Sequence, residues 1–327
     1  MSSHFPGQSP ALARSGAGRQ CADAVLMVRP AAFAYNPQTA ATNAFQSRPQ
    51  CDGETSGLAA RAEFDGLAAA LAGRGVRVCV LEDTPLPRKP DAVFPNNWIS
   101  FHADGTVVLY PLQAESRRRE RRREAVEIVT ERLGYRVSRL IDLTRHEAHG
   151  RYLEGTGSLV LDHRNRIAYA CLSPRTDERV LDEWSIELGY RPVVLHAADR
   201  RGIPLYHTNV LMCIGERLAV IGLDAVAPAD RDRVLAQLRD GGRELIRIGH
   251  LQLERFAGNM LELACRDESG GERRVLVLSE TARHALQEEV FARLAACTDE
   301  VLVAPVPTIE RLGGGGVRCM LAEVFLP

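Results

Sequence analysis

Four side chains with complementary chemistry stand at matching points along the chain. Asp91 lies in KPDAVFPNNW, with Asn96 and Asn97 close behind it. Glu154 lies in LEGTGS, His207 and Asn209 in YHTNVL, and Cys319 in GGGGVRCML. A fifth stretch, FAGNML, has Gly258 and Asn259 at the corresponding point. Each stretch runs directly into an apolar segment. A cysteine attacks as its thiolate and needs a base or a cation nearby to reach that form at neutral pH. His207 meets that need and also carries protons. Two carboxylates in one mouth hold a flat, N–H-rich group by paired hydrogen bonds. Each residue has an ordinary reading as well. Cys319 is then an inert core cysteine behind a turn, His207 a satisfied core histidine, Asp91 a cap and Glu154 a surface acid. The readings separate on whether one fold brings all four together.

The elements around them repeat. Residues 58–72 read as a helix ended by Gly73, and VRVCVLED follows as a strand. Ser116 caps a helix predicted to run to about Leu133, with Gly134 as its stop and RVSRLIDL as the next strand. Residues 174–188, 227–239 and 281–296 repeat the order before RPVVLHA, RELIRI and EVLVAPV. Between these units lie paired strands: NNWISF with TVVLYPL, GSLVLD with RIAYACL, NVLMCIG with RLAVIGL, and NMLELAC with RRVLVLS. The fifth pair is split across the chain, VRCMLAEVFL near one end and AVLMVRP at residues 24–30. Repeats of this kind bury a shared core by stacking or by closing a ring. Completing the last unit with the first strand closes a ring. The prediction is a single α/β domain over residues 21–327, a five-bladed α/β propeller of ββαβ units with pseudo-fivefold symmetry. In such a ring equivalent positions face one axis, so Asp91, Glu154, His207 and Cys319 converge. Two separate α/β domains would leave the terminal strands as open edges.

Composition narrows the class. The chain has 327 residues, 45% hydrophobic, with a formal net charge of −1. That balance gives no global attraction to nucleic acid or a membrane surface, and no apolar run reaches the roughly 20 residues that span a bilayer. The eight cysteines form no CxxC pair, which argues against a zinc ribbon and fits a reducing cytoplasm. No metal or other cofactor is expected; His146, His149 and Glu154 read as a loop rather than a ligand set. Residues 1–20 are small, polar and acid-poor, a bias shared with transit peptides, and are expected to form a disordered tail. RRRERRRE (117–124) is expected to turn its arginines to solvent, with Glu120 and Glu124 interleaved.

PDAVFPNNW, LEGTGS, YHTNVLM and PTIERLGGGGVRCML resemble motifs of the guanidine-modifying enzyme superfamily, over nearly the whole chain from about residue 22. That superfamily includes arginine deiminases, dimethylarginine hydrolases, agmatine deiminases and amidinotransferases. The closest look is to the amidinotransferase-like branch that contains citrulline ureidases. The resemblance implies the pentein fold, which is the five-bladed propeller already read from the repeats. It implies that Cys319 attacks the trigonal carbon of a guanidino or ureido group and forms a covalent intermediate. His207 would protonate the leaving amine and then activate water. Glu154 and Asp91 would bind N–H groups, and the loop around Gly315 would admit substrate close to the backbone. The partner implied is a free amino acid, with no nucleic acid and no membrane; homo-oligomerisation is left open.

One departure stands out. Arginine deiminases and amidinotransferases typically carry His-x-Asp, whereas this chain has His207-Thr208-Asn209. A neutral ureido oxygen needs a donor, which Asn offers and Asp does not. The expectation is therefore citrulline hydrolysis to ornithine, ammonia and carbon dioxide. An amidinotransferase or deiminase acting on a guanidino compound is the alternative, and a catalytically silent propeller used for binding is the third reading. Residues 29–46 are expected to form a lid, with Arg29, Asn36, Asn43 and Gln46 as substrate contacts beside Asn97. Arg311 and Arg318 are candidates for the substrate carboxylate.

Overall fold

The computed structural model describes residues 18–48, 53–266 and 269–327. Residues 1–17 of the expected tail lie outside the described residues. Gln20 does not behave as tail. It is buried, and its Nε2 donates to the carbonyls of Leu161 at 2.9 Å and Ile214 at 3.3 Å. A buried amide needs such partners, and here they fasten the chain before residue 21.

Among the described residues the strands form five three-stranded sheets. Ile99–Phe101, Thr106–Leu109 and Arg139–Asp142 make the first; Leu159–Asp162, Ile167–Cys171 and Arg191–Leu195 the second. Met212–Ile214, Leu218–Ile221 and Glu244–Arg247 make the third; Leu261–Arg266, Glu272–Ser279 and Glu300–Ala304 the fourth. In each, the first strand is antiparallel to the central one and the last is parallel to it. A parallel neighbour cannot be reached by a tight turn, which is why a helical crossover separates the second and third strands. The fifth sheet joins the two ends of the chain. Val25 and Leu26 in Ala24–Arg29 pair with Glu323 and Ala322, and Arg77–Glu82 lies parallel on the other side. The five-bladed α/β propeller predicted from the repeats is the fold observed.

Helix Glu178–Leu188 shows how a crossover is specified. The Asp177 side chain accepts from the amides of Arg179 and Val180, and Gly189 ends the helix with φ +67°. Val180, Leu181, Trp184, Ser185 and Leu188 are buried along one face. The single helix predicted from Ser116 to Leu133 is broken instead. Glu115–Arg118 and Glu124–Leu133 are separate, because Arg117 and Glu120 turn inward together and both are buried. Among the described residues no helix is long and apolar enough to cross a membrane.

The entry strands start later than predicted. Only Ala322–Glu323 of VRCMLAEVFL is strand, while Val317–Met320 is a 3-10 turn. Pro95–Asn97 and Thr208–Val210 are 3-10 turns too, and Gly155–Ser158 is one helical turn. A strand sends neighbouring side chains to opposite faces. These turns break that alternation where each blade enters the ring, next to the residues with chemistry.

Candidate active site

A small, partly open cavity, about 260 Å³ counting the space open to solvent, lies where the entry turns meet. Asp91, Asn97, Arg117, Arg175, His207, Gly315 and Cys319 are among its lining residues.

Glu154 is the electrostatic centre. Its Oε2 accepts from His207 Nε2 at 2.9 Å, and its Oε1 accepts from the Gln113 amide at 3.0 Å. Arg175 Nη1 lies 3.5 Å and Arg117 Nη1 3.8 Å from Oε2. Burial works to raise the carboxyl, but Arg175, His207 and Arg117 outweigh it and hold it at about 2. The ionised carboxylate is acceptor-only, so the His207 proton sits on Nε2 and Nδ1 keeps its lone pair. Burial lowers His207 to about 4, against the pull of Glu154. The ring is therefore a neutral base at rest.

Cys319 is buried behind the glycine run. Burial pushes its thiol up, while hydrogen bonds from Asn259 and Asn209 and the charge of Arg318 work the other way. Among the described residues the side-chain donors to Sγ are two neutral carboxamides, Asn259 Nδ2 at 3.4 Å and Asn209 Nδ2 at 3.5 Å. Among the described residues no hydrogen bond joins His207 to Cys319; both face the same cavity. The run of glycines is explained by close approach. A Cβ on Gly315 would stand 3.1 Å from Cys319 Sγ, and one on Gly313 would stand 2.6 Å from the Phe94 ring. Gly314 adopts φ +66°, which L side chains rarely take.

Asp91 Oδ2 accepts from Asn36 Nδ2 at 2.7 Å and from Thr39 Oγ1 at 3.2 Å. Its Oδ1 is buried with no hydrogen-bond partner among the described residues. Burial raises this carboxyl despite Arg117, Asn36 and Arg175. Asn97 Oδ1 accepts from Arg117 Nη1 at 2.7 Å. Asn43 donates to the Gly314 carbonyl at 3.2 Å and Gln46 to the Leu312 carbonyl at 3.0 Å. The 29–46 segment is thus tied both to Asp91 and to the glycine run before Cys319.

The expected set assembles in large part, with three corrections among its cations. Arg29 is at the surface, where its guanidinium makes two 2.7 Å bonds to Asp65. Arg318 faces away from the cavity, to the Leu321 carbonyl and Glu323. Arg311 is exposed. The cations that line the cavity are Arg117 and Arg175. Arg117 was expected on a solvated face; instead it is buried, paired with Glu120 at 2.8 Å and 3.9 Å from Asp91. Glu120, buried against it, is raised to about 7. Arg175 falls inside the helix predicted over residues 174–188, but that helix begins only at Glu178 and Arg175 sits in the turn before it, so the pattern did not mark it as a site residue. Asn259 did carry a signal, its place in the repeat. His146 pairs with Glu183 and Glu154 with His207, so the loop histidines and Glu154 do not gather as ligands.

The family model described as N,N dimethylarginine dimethylhydrolase, eukaryotic, matches residues 29–326. The chain belongs to that family. It is a hydrolase of the guanidino- and ureido-modifying pentein superfamily, consistent with C–N bond cleavage. No curated protein matches its sequence. In fold, the hydrolase is similar to ArgZ, an arginine dihydrolase from the ornithine-ammonia cycle in cyanobacteria, with a TM-score of 0.70 and 17% identity over 93% of this chain. It spans 41% of that ArgZ chain and 99% of the separate ArgZ N-terminal domain. Unliganded AgrE gives a TM-score of 0.69 at 19% identity, covering 93% of this chain and 39% of AgrE. A dimethylarginine dimethylaminohydrolase adduct gives 0.59 at 16%, covering 92% of this chain and 99% of that one. At these identities the likeness is one of fold.

Proposed function

We propose that the enzyme hydrolyses the terminal guanidino group of a free arginine-type amino acid, using Cys319 as nucleophile. One observation carries the choice of guanidino over ureido: the groups that donate to Cys319 Sγ are neutral amides. A buried thiol in that setting needs positive charge to ionise. A guanidinium brings that charge with it, and a ureido group does not. Asp91 Oδ1, buried without a partner, suits an incoming N–H. The family description and the arginine named for ArgZ support the same reading.

The proton count closes on the residues described. The Cys319 proton passes to His207 Nδ1 as sulfur adds to the guanidinium carbon. His207 returns it to the departing nitrogen, which leaves as ammonia or a methylated amine. The carbon is then held as a cationic thiouronium on Cys319. Neutral His207 takes a proton from water as oxygen adds to that carbon. The C–S bond breaks, one water proton restores the thiol, and the other ends on the released amine. The organic product carries a ureido group.

The productive proton count is one proton on the Cys319–His207 pair, which holds from the folded pKa of His207, about 4, up to the raised pKa of the thiol. The kcat/KM profile is therefore expected to keep its plateau through pH 5–6.5 and to fall only near pH 4. An acid limb centred at the ordinary histidine value of 6.5 would contradict the neutral buried ring.

Citrulline hydrolysis to ornithine is the second reading, favoured by Asn209, whose side-chain amide 3.5 Å from Cys319 Sγ is a donor that suits a ureido oxygen where an aspartate would not. Product analysis with L-arginine, N,N-dimethylarginine and L-citrulline offered separately decides it. A ureido product from either guanidino substrate, absent in Cys319→Ala, is the expected result. Ornithine from citrulline, with both guanidino substrates left unchanged, would overturn it.

A further inference from the structure

The fourth blade also reaches the nucleophile. Asn259 is buried, and its Nδ2 lies 3.4 Å from Cys319 Sγ and 2.9 Å from the carbonyl oxygen of Asn209. Its Oδ1 accepts from the Arg318 amide at 3.2 Å. These backbone partners fix which way the carboxamide points. Turned over, its oxygen would face the Asn209 carbonyl and its N–H the Arg318 N–H, and both contacts would be repulsive. The Asn259 nitrogen is therefore a committed donor toward sulfur. Asn209 differs, since either end of its amide meets the sulfur: Nδ2 at 3.5 Å as donor, Oδ1 at 3.8 Å as acceptor from the S–H.

The backbone is shaped to admit this contact. A Cβ on Gly316 would stand 2.7 Å from Asn259 Oδ1. A Cβ on Gly258 would stand 2.3 Å from the Val210 carbonyl oxygen, so that glycine lets the fourth entry turn press against the third. Phe256, whose carbonyl accepts from the Asn259 amide at 2.8 Å, holds φ +61°, an uncommon conformation for a non-glycine residue. Close approach on both sides and an uncommon backbone conformation converge on the placement of one carboxamide.

We infer that Asn259 is a catalytic residue: its side-chain N–H donates to Cys319 Sγ and stabilises the thiolate that attacks. This rests on Cys319 being the nucleophile and is independent of which substrate is cleaved. Asn209 follows the proton, accepting from the thiol and donating to the thiolate, while Asn259 holds one orientation throughout. The last glycine of the run has a function in the same design, because a side chain at position 316 would displace the donor.

The test needs no substrate. The rate of Cys319 alkylation by iodoacetamide, read by mass spectrometry on the Cys319 peptide, is followed against pH in the wild type, Asn259→Leu and Asn259→Asp. Asn259→Leu removes the donor at similar volume. Asn259→Asp keeps the acceptor for the Arg318 amide, loses the donor and adds a like charge. Losing a hydrogen bond to a charged group is expected to slow alkylation at pH 8 about ten-fold in Asn259→Leu and further in Asn259→Asp, with the midpoint moved to higher pH. Thermal unfolding of each variant separates this from loss of fold, and Asn259→Asp carries the test if Asn259→Leu does not fold. A folded variant whose alkylation midpoint and rate equal those of the wild type overturns the assignment. Failure of the substrate proposal looks different: arginine compounds unchanged, with the alkylation ranking intact.

Discussion

Cys319→Ser is expected to abolish turnover, by about 10⁴-fold or more, in a protein that still folds. The substitution preserves shape, because serine fits wherever cysteine fits between Gly315 and the two asparagine amides. It fails in chemistry. A hydroxyl is far harder to ionise than a thiol, and the donors available are neutral. Among the described residues no other cysteine lines the cavity. Cys171 and Cys213 are buried and pushed up to about 12 by that burial, and neither lines the cavity. Intact-mass measurement after rapid quench reads the result directly. The wild type acquires a substrate-derived adduct on the Cys319 peptide, and the variant acquires none. An adduct on another residue, or a tenth of the activity retained, would place the nucleophile elsewhere.

Glu154→Gln is expected to reduce both rate and stability. The carboxylate fixes the His207 proton on Nε2 and so leaves Nδ1 free as the base. A glutamine amide can turn its N–H toward the ring and reverse that tautomer, an effect worth about 10³–10⁴-fold in kcat where a triad carboxylate is neutralised. The same change strips Arg175 and Arg117 of a counter-charge 3.5 and 3.8 Å away. Leaving buried charges uncompensated costs about 3–5 kcal/mol. The pH dependence of stability carries the signature. Glu154 is held at about 2 against an ordinary 4.5. Its contribution, on the order of 3 kcal/mol, is complete above the unfolded value and is lost as pH falls through about 2. His207 adds an acid-sensitive step at higher pH. Between 6.5 and about 4 the unfolded chain takes up a proton that the folded ring refuses, so stability declines through that window. The wild type should therefore unfold at a higher temperature than Glu154→Gln at pH 7, with the gap narrowing as pH drops below 4.5. Equal melting temperatures at pH 7 would show that the two arginines do not depend on this carboxylate.

Much of the fold was legible because it is periodic. The order helix, turn, strand and the paired apolar runs recur five times, and a repeat that cannot bury its own face must stack on the next. The split fifth pair carried the closure, and Val25 and Leu26 meet Glu323 and Ala322 as that reading requires. The same repeat placed Glu154, His207, Asp91 and Cys319 on one axis. Asn259 stood at the fourth equivalent position, although nothing in its residue type announced a role.

The sequence by itself determined the five-unit ring, the shared mouth, and the cysteine and histidine that face it, because repeat position converts spacing along the chain into convergence in space. Tertiary structure alone decided the charges. Arg117 lies in a run of six arginines that reads as a solvated face, yet Glu120, Asn97 and Glu154 draw it inside. Arg175 read as the first turn of a helix but lies in the turn before it, while Arg29 and Arg318, nearer to the expected positions, are claimed by Asp65 and Glu323. Which carboxylate an arginine meets depends on how neighbouring blades pack, and a long flexible side chain can answer more than one local pattern.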